Sequence, residues 1–245
     1  MKQSHLFNIL NSVDSTNNYA MAKVHAGLAT HGMAWFAQSQ TGGKGQRGKA
    51  WQSEPGKNII LSMVLKTAPI FKSKPFCFSA LIALCCSEFI HKITDQKVFI
   101  KWPNDLYWRD RKAGGILIEN VFAGTEWKWA VVGIGINVNQ TNFDGLAREA
   151  VSLKEMATKS LNPVLLARGL HQCILDKLDA LRENEVYELL PLYNALLYKK
   201  NEMVKLRKDA AVFSTTIKGV NENGQLMTAD VLEREFDFGT VEWVL

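Results

Sequence analysis

Cysteine and histidine are scarce in this chain, and their spacing narrows its chemistry. The four cysteines, Cys77, Cys85, Cys86 and Cys173, form no C-x-x-C pair. Three fall in one apolar stretch, so they read as reduced core residues of a cytoplasmic protein, not as a disulfide framework or zinc site. The five histidines show no H-E-x-x-H or other ligand spacing, so no metal held by protein ligands is expected. Long apolar runs are also missing. The longest, "FCFSALIALCCSEFI", is broken by serines and a glutamate and falls short of the ~20 residues of a membrane span. The opening "MKQSHLFNILNSVDS" lacks the charged-then-apolar order of a signal peptide. No repeat or low-complexity tract is present.

What is there is a 245-residue chain, 47% hydrophobic, with a net charge of +5. That suffices for one large core, or for a domain with a small companion. Lys44, Arg47, Lys49 and Lys57 crowd one stretch against Glu54, and Lys199, Lys200, Lys205, Arg207 and Lys208 form a second cluster. Both suit anionic phosphates or an acidic partner, and neither selects nucleic acid.

The pattern predicts an α+β fold. "LFNILNSV" reads as a strand, followed by the N-cap residues Asp14, Ser15 and Thr16 and a helix stopping at Gly27. Strands are expected in "GMAWFAQSQ", "NIILSMVL" and "KVFIKW", a buried helix over about 74–92, and a hairpin of "GGILIENVFA" with "EWKWAVVGIGINVN" around Gly124 and Thr125. Pro103-Asn104-Asp105 reads as a turn. Helices are expected from about Pro163 to Tyr198. Short strands with an Asn223-Gly224 turn follow, giving domains of 1–198 and 199–245, the second a small β module.

The stretch "TGGKGQRGKAW", Thr41 to Trp51, nearly matches two phosphate-binding motifs. A G-x-x-x-x-G-K loop needs a following hydroxyl and helix, but Ala50 stands at the hydroxyl position, and Pro55 and Gly56 forbid a long helix. The G-x-G-x-x-G reading fails for the same reason, and no strand with an acidic end lies about twenty residues on. What survives is chemistry. Glycines let backbone N–H groups approach an anion, Lys44, Arg47 and Lys49 bring charge, and Trp51 offers a flat apolar face; a solvated surface loop is the alternative. "KWPNDLYW" sets Lys101 at a strand end beside a turn, either a rigidly mounted cation or a solvated one. In "GIGIN", Gly133 and Gly135 leave either a trough for a ligand or room for a packed helix.

Taken together, "DSTNN" (Asp14–Asn18), "GKGQRGKAW" (Gly43–Trp51), "KWPNDLYW" (Lys101–Trp108), "KAGGILIE" (Lys112–Glu119) and "GIGINVN" (Gly133–Asn139) resemble, in order and spacing, the biotin–protein ligases. Such enzymes attach biotin to carrier domains of carboxylases. The resemblance implies a class II aminoacyl-tRNA synthetase-like mixed sheet with flanking helices and a C-terminal SH3-like barrel. It also implies a two-step reaction, in which biotin and ATP give biotinyl-AMP and a carrier lysine then takes the biotin. Lys101 would be catalytic. Ser15, Thr16, Asn17, Gln40, Gly43, Lys44, Gly45, Gln46, Lys101, Gly114, Gly115, Gly133 and Gly135 would bind biotin. Lys44, Gln46, Arg47, Trp51, Lys101, Asn104, Lys112 and Asn137 would bind ATP or the adenylate. Mg²⁺ would come with ATP, held by phosphate oxygens and water, with no protein metal site.

Two departures stand out. Lys44 and Gln46 occupy loop positions where the family pattern has arginine, so one bidentate fork and one charge are missing. The Asp-Ser-Thr segment begins at residue 14, and a ligase without specific DNA binding is expected. The expected partners are biotin, ATP and a biotin carboxyl carrier domain, without a membrane, in a monomer or homodimer. The rivals are a lipoate or octanoate ligase or transferase, and a non-catalytic biotin-binding module.

Overall fold

The apolar run Ile59–Lys66 becomes a strand, β3, whose first seven residues are all buried, and the remaining layers are built around it. The computed structural model describes residues 6–143 and 150–244. Six further strands join β3 in one sheet: β1 (Phe7–Leu10), β2 (Ala34–Ala37), β4 (Phe99–Lys101), β5 (Asp105–Trp108), β6 (Arg111–Ala123) and β7 (Glu126–Ile136). Their order is β1-β2-β3-β7-β6-β5-β4. Only β1 and β2 run parallel; the other neighbouring pairs are antiparallel. β6 and β7 form a hairpin turning at Gly124, whose φ of 61° suits glycine.

Helix α1 (Thr16–His25) covers one face across β3 and β7, over a small cluster of Ala20, Trp35, Val64 and Val131. The other face carries α2 (Pro75–Thr94) and α4 (Pro163–Ala180), each opening on a proline at its first turn. The short α3 (Leu153–Ala157) starts in a capping box of Ser152 and Glu155. Helix α5 (Val186–Ala195) packs on α2. Among the described residues α2 alone has the length and apolarity to cross a membrane, but 61% of its most apolar window is buried within this fold. It is 20 residues long, longer than the apolar run seen in the sequence, because its helix continues through Glu88 and His91. Its cysteines are unpaired, and burial pushes the Cys85 thiol up to about 12.

Strands β8 (Met203–Lys208), β9 (Ala211–Val220), β10 (Leu226–Ala229), β11 (Glu233–Phe236) and β12 (Glu242–Val244) make a second sheet, ordered β11-β10-β9-β8-β12. It is fastened to the first layer. Asn194 on α5 exchanges two hydrogen bonds with the Val220 backbone, at 2.7 and 2.9 Å. The Trp102 indole donates to the Gly224 carbonyl at 2.9 Å. Leu206, Ile217 and Leu226 belong to the same apolar cluster as Phe78 and Ile100.

Three elements escape a reading by pattern: α3, β11 and β5. The turn expected at Pro103-Asn104-Asp105 sits earlier. Asn104 N–H closes it on the Lys101 carbonyl at 3.1 Å, the Trp102–Pro103 peptide is cis, and Asp105 already opens β5, opposite Lys101.

His171 on α4 gives a pH dependence. It is 4% exposed, meets Phe7 edge-on, and its Nε2–H donates to the Gly32 carbonyl at 2.7 Å. Burial holds its pKa below the ordinary histidine value. The unfolded chain therefore binds this proton more readily than the native state does. The stabilisation is complete above the unfolded pKa of roughly 6.5 and is lost as pH falls through the lowered native value. Urea midpoints measured from pH 8 downward are expected to decline below about pH 6.5, and His171→Gln, which keeps a donor but cannot titrate, should flatten that part of the decline.

Candidate functional site

Ser15 has extended backbone and caps α1, its Oγ accepting from Asn18 N–H at 3.5 Å. The cap sets Thr16 and Asn17 on the first turn, pressed against the sheet and 4% and 3% exposed. Gln40 Oε1 accepts from Thr16 N–H at 2.7 Å and lies 3.1 Å from Thr16 Oγ1. Ser62 Oγ, on β3, stands 2.8 Å from Thr16 Oγ1 and 2.6 Å from Asn17 Oδ1. Asn17 Nδ2 donates to Glu119 Oε2 on β6 at 2.8 Å. A connected polar row therefore runs from Gln40 to Glu119 across three strands, its donors and acceptors fixed before any ligand arrives.

Ser15, Thr16, Asn17 and Gln40 line one part of a cavity of about 430 Å³, with Ser62 and Glu119 supporting them from outside its lining. The glycine loop bends over it. Gly43 and Trp51 are tied by the Trp51 N–H to the Gly43 carbonyl at 2.9 Å, and Gly45 N–H reaches the Lys49 carbonyl at 2.6 Å. Arg47 and Gly48 are left-handed at the tip, with φ of 56° and 74°. The stretch is a tight hairpin with a single 3-10 turn at Gln46–Gly48 and β3, not an α-helix, after it, so both nucleotide-loop readings fail here as they did in sequence. The Trp51 ring lies on Gly135, where an added Cβ would come within 2.5 Å of it.

Lys101 also lines the cavity. It is 8% exposed, donates to Tyr107 Oη at 3.2 Å, and lies between two rings, 4.7 Å from that of Tyr107 and 5.3 Å from that of Trp243. Trp243 comes from β12, so the second sheet contributes directly to the site. Five cations line the cavity (Lys44, Arg47, Lys49, Lys101 and Lys112) against two carboxylates. Both carboxylates are engaged, Asp105 with Lys112 at 2.7 Å and Glu242 with Arg47 at 4.0 Å. The remaining field favours a polyanion. Among the described residues, three buried polar atoms there have no hydrogen-bond partner: Gln46 Oε1, Trp51 Nε1 and Trp243 Nε1. Such groups call for a ligand's donors and acceptors.

Of the residues singled out in sequence, Ser15, Thr16, Asn17, Gln40, Lys44, Gly45, Gln46, Arg47, Trp51, Lys101, Asn104, Lys112, Gly115, Gly133 and Gly135 line this cavity. Three do not. Asn137, expected near phosphates, turns away: its Nδ2 donates to the Lys112 and Val151 carbonyls, each at 3.2 Å, and it holds α3's approach to the sheet. Gly114 lies against the Gly135 carbonyl, and Gly43 fills the base of the loop, where a Cβ would strike the Trp51 carbonyl. Ser62, Glu119, Tyr107 and Trp243 were missed. Ser62 was visible as the lone polar residue of "IILSMVL"; Trp243 gave no signal, since only the tertiary fold brings it to Lys101.

The family model described as the Biotin/lipoate A/B protein ligase family matches residues 9–137. The bifunctional ligase/repressor BirA of Escherichia coli is 37% identical over 132 residues, 53% of this chain and 40% of that protein. The biotin–[acetyl-CoA-carboxylase] ligase of Paracoccus denitrificans is 33% identical over 132 residues, 53% of each. The matched segment thus spans about half or less of these curated relatives. Among solved structures, the Aquifex aeolicus biotin protein ligase in complex with biotin and ATP superposes with a TM-score of 0.80 at 25% identity, covering 97% of this chain and 98% of that one.

The polar row makes the absence of a side chain at Gly133 testable. A Cβ there would collide with the Asn17 amide, forcing it off Ser62 and Glu119. Gly133→Ala is expected to cost roughly 1–3 kcal/mol in chemical denaturation. In the Asn17→Ala background the same change should cost clearly less, giving a coupling free energy in a double-mutant cycle.

Proposed function

Because the chain belongs to the biotin/lipoate A/B protein ligase family, we propose that it is a biotin–protein ligase. In this reading it makes biotinyl-AMP from biotin and ATP and passes the biotin to a lysine of a biotin carboxyl carrier domain. The observation that carries the reading is the junction of two unlike subsites in one cavity. A prearranged polar row from Gln40 to Glu119 faces apolar strand positions, and a buried, ring-bracketed lysine faces a cationic loop.

The first suits a small heterocycle that both donates and accepts, with a tail running over Gly115 and Gly135. The second suits a nucleoside triphosphate. Lys101, at the boundary, would bridge the biotin carboxylate and the α-phosphate. The two anions repel each other until a shared cation offsets that repulsion, and it gains most as charge builds on the phosphate oxygens in the transition state. The carboxylate oxygen forms the bond to phosphorus as the bridging bond to pyrophosphate breaks, and pyrophosphate leaves with the electron pair. Lys44, Arg47, Lys112 and the loop's N–H groups would hold the phosphates, with Trp51 beside the base. Gln46 offers an amide where an arginine would offer charge. Mg²⁺ would travel with ATP on phosphate oxygens and water, since Asp105 and Glu242 already face cations.

The same reading makes residues 1–198 a class II aminoacyl-tRNA synthetase-like unit and 199–245 an SH3-like module, in an enzyme of the cytoplasm, where its free thiols persist. The test is biotin-dependent exchange of labelled pyrophosphate into ATP, with lipoate and octanoate run alongside. Exchange with biotin alone is the expected outcome. Exchange with the fatty acids would move the chain to the lipoate branch, and biotin binding without exchange would make it a binding module. Lys101→Ala should slow exchange by roughly 10²–10³-fold; an unchanged rate would remove Lys101 from the chemistry.

A further inference from the structure

A second cavity, of about 470 Å³, lies on the opposite face of β6, under the first half of α2. Residues alternate along a strand, so Gly115 and Leu117 face the first cavity while Ile118 and Asn120 face the second. Phe76 and Ala83 of α2, Ile118, and Phe238 of the second sheet give it apolar walls; Asp237 is its one charged lining residue. The two cavities share Gln46, Pro103, Asn104, Ile116 and Phe238. They meet beside the turn that follows Lys101, and nothing in the adenylation step uses the second.

Gln46 decides what this space suits. It lines both cavities, and its Oε1 is buried without a partner. An unpaired buried acceptor requires a donor. Carboxylate and phosphate oxygens are acceptors and cannot satisfy it; an amine N–H can. A lysine side chain matches the rest of the path. Its methylene stem runs along apolar walls while its ammonium is drawn by a carboxylate at the mouth. Asp237 is exposed, and its carboxylate accepts from Gln225 Nε2 at 2.9 Å, which leaves lone pairs for a cation.

We propose that the second cavity is the entry path for the acceptor lysine, with Asp237 attracting its ammonium and Gln46 Oε1 receiving the amine N–H where the cavities join. The proposal rests on the ligase reading and adds to it a route for the protein substrate. The lysine nitrogen forms the amide bond to the biotin acyl carbon as the bond from that carbon to the phosphate oxygen breaks. AMP leaves with the electron pair, and the two protons the ammonium loses pass to water through the open mouth.

The two half-reactions separate the claims. Ser79→Trp narrows the second cavity, and Asp237→Lys, at an exposed position, reverses the charge at its mouth. Each is assayed by biotin-dependent pyrophosphate exchange and by transfer to the biotin carboxyl carrier domain of an acetyl-CoA carboxylase. Exchange is expected to stay within about twofold, while kcat/KM for the carrier falls about tenfold or more. Unchanged transfer in both variants would overturn the proposal. An equal loss of exchange and transfer in Asp237→Lys would overturn it too, by placing the residue in adenylate formation. Absence of exchange in the unsubstituted chain would instead refute the ligase reading, and the entry path with it.

Discussion

At Gly133 and Gly135 the middle of the sheet presents bare backbone, and the side chains of Asn17 and Trp51 occupy the volume that Cβ atoms would fill. Everything on that face is referred to this contact. Because Asn17 can sink to the sheet, the first turn of α1 lies close enough for Thr16 to meet Gln40 and Ser62. Because Trp51 can lie flat on Gly135, the glycine hairpin folds inward and brings its cations over the cavity. The two sequence readings of these glycines, a ligand trough and close packing, are one arrangement. Packing at Gly133 sets the recognition groups, and packing at Gly135 sets the loop.

The electrostatics follow from where the packed groups leave the charges. A lysine as buried as Lys101 carries a desolvation cost of several kcal/mol unless its ammonium is engaged. Here a phenol oxygen and two ring faces are among the groups that engage it. Lys112, on the same cavity, is paired with Asp105 at 2.7 Å, which reduces the net field it offers an anion. Two lysines lining one cavity thus meet different neighbours, rings and a phenol for one and a carboxylate for the other.

Much of this was legible in the sequence, and the exceptions share a cause. Strand and helix periods located six strands of the seven-stranded layer, all but β5, and α2, because burial follows period along a single element. The cavity residues on Asp14–Asn18, the glycine loop and Lys101–Asp105 were legible because each motif acts as a local unit. Asn137, Gly114 and Gly43 lie outside the cavity's lining, because belonging to a motif does not say which way a residue faces. On β6, Gly115 looks into the cavity and Gly114, one residue earlier, looks at β7. Tyr107 was concealed by a turn placed one residue too late, which hid the strand that begins at Asp105. Trp243 was concealed by distance: 142 positions separate it from Lys101 (243 less 101), and no local pattern encodes a meeting between two sheets.

That meeting explains why a small second sheet is fastened so closely to the first. A five-stranded sheet of this size buries little core by itself, and its apolar residues are continuous with those of the larger layer. The fastening through Asn194, Trp102 and Gly224 is made of part-buried hydrogen bonds of 2.7 to 2.9 Å. Its contacts at the cavity are different in kind. Arg47 and Glu242 are both half-exposed and 4.0 Å apart, a pairing worth little in water. Trp243 is set in place because β12 pairs with β8, and that pairing holds its ring 5.3 Å from the Lys101 ammonium, so the second sheet completes the bracket that the first sheet begins with Tyr107.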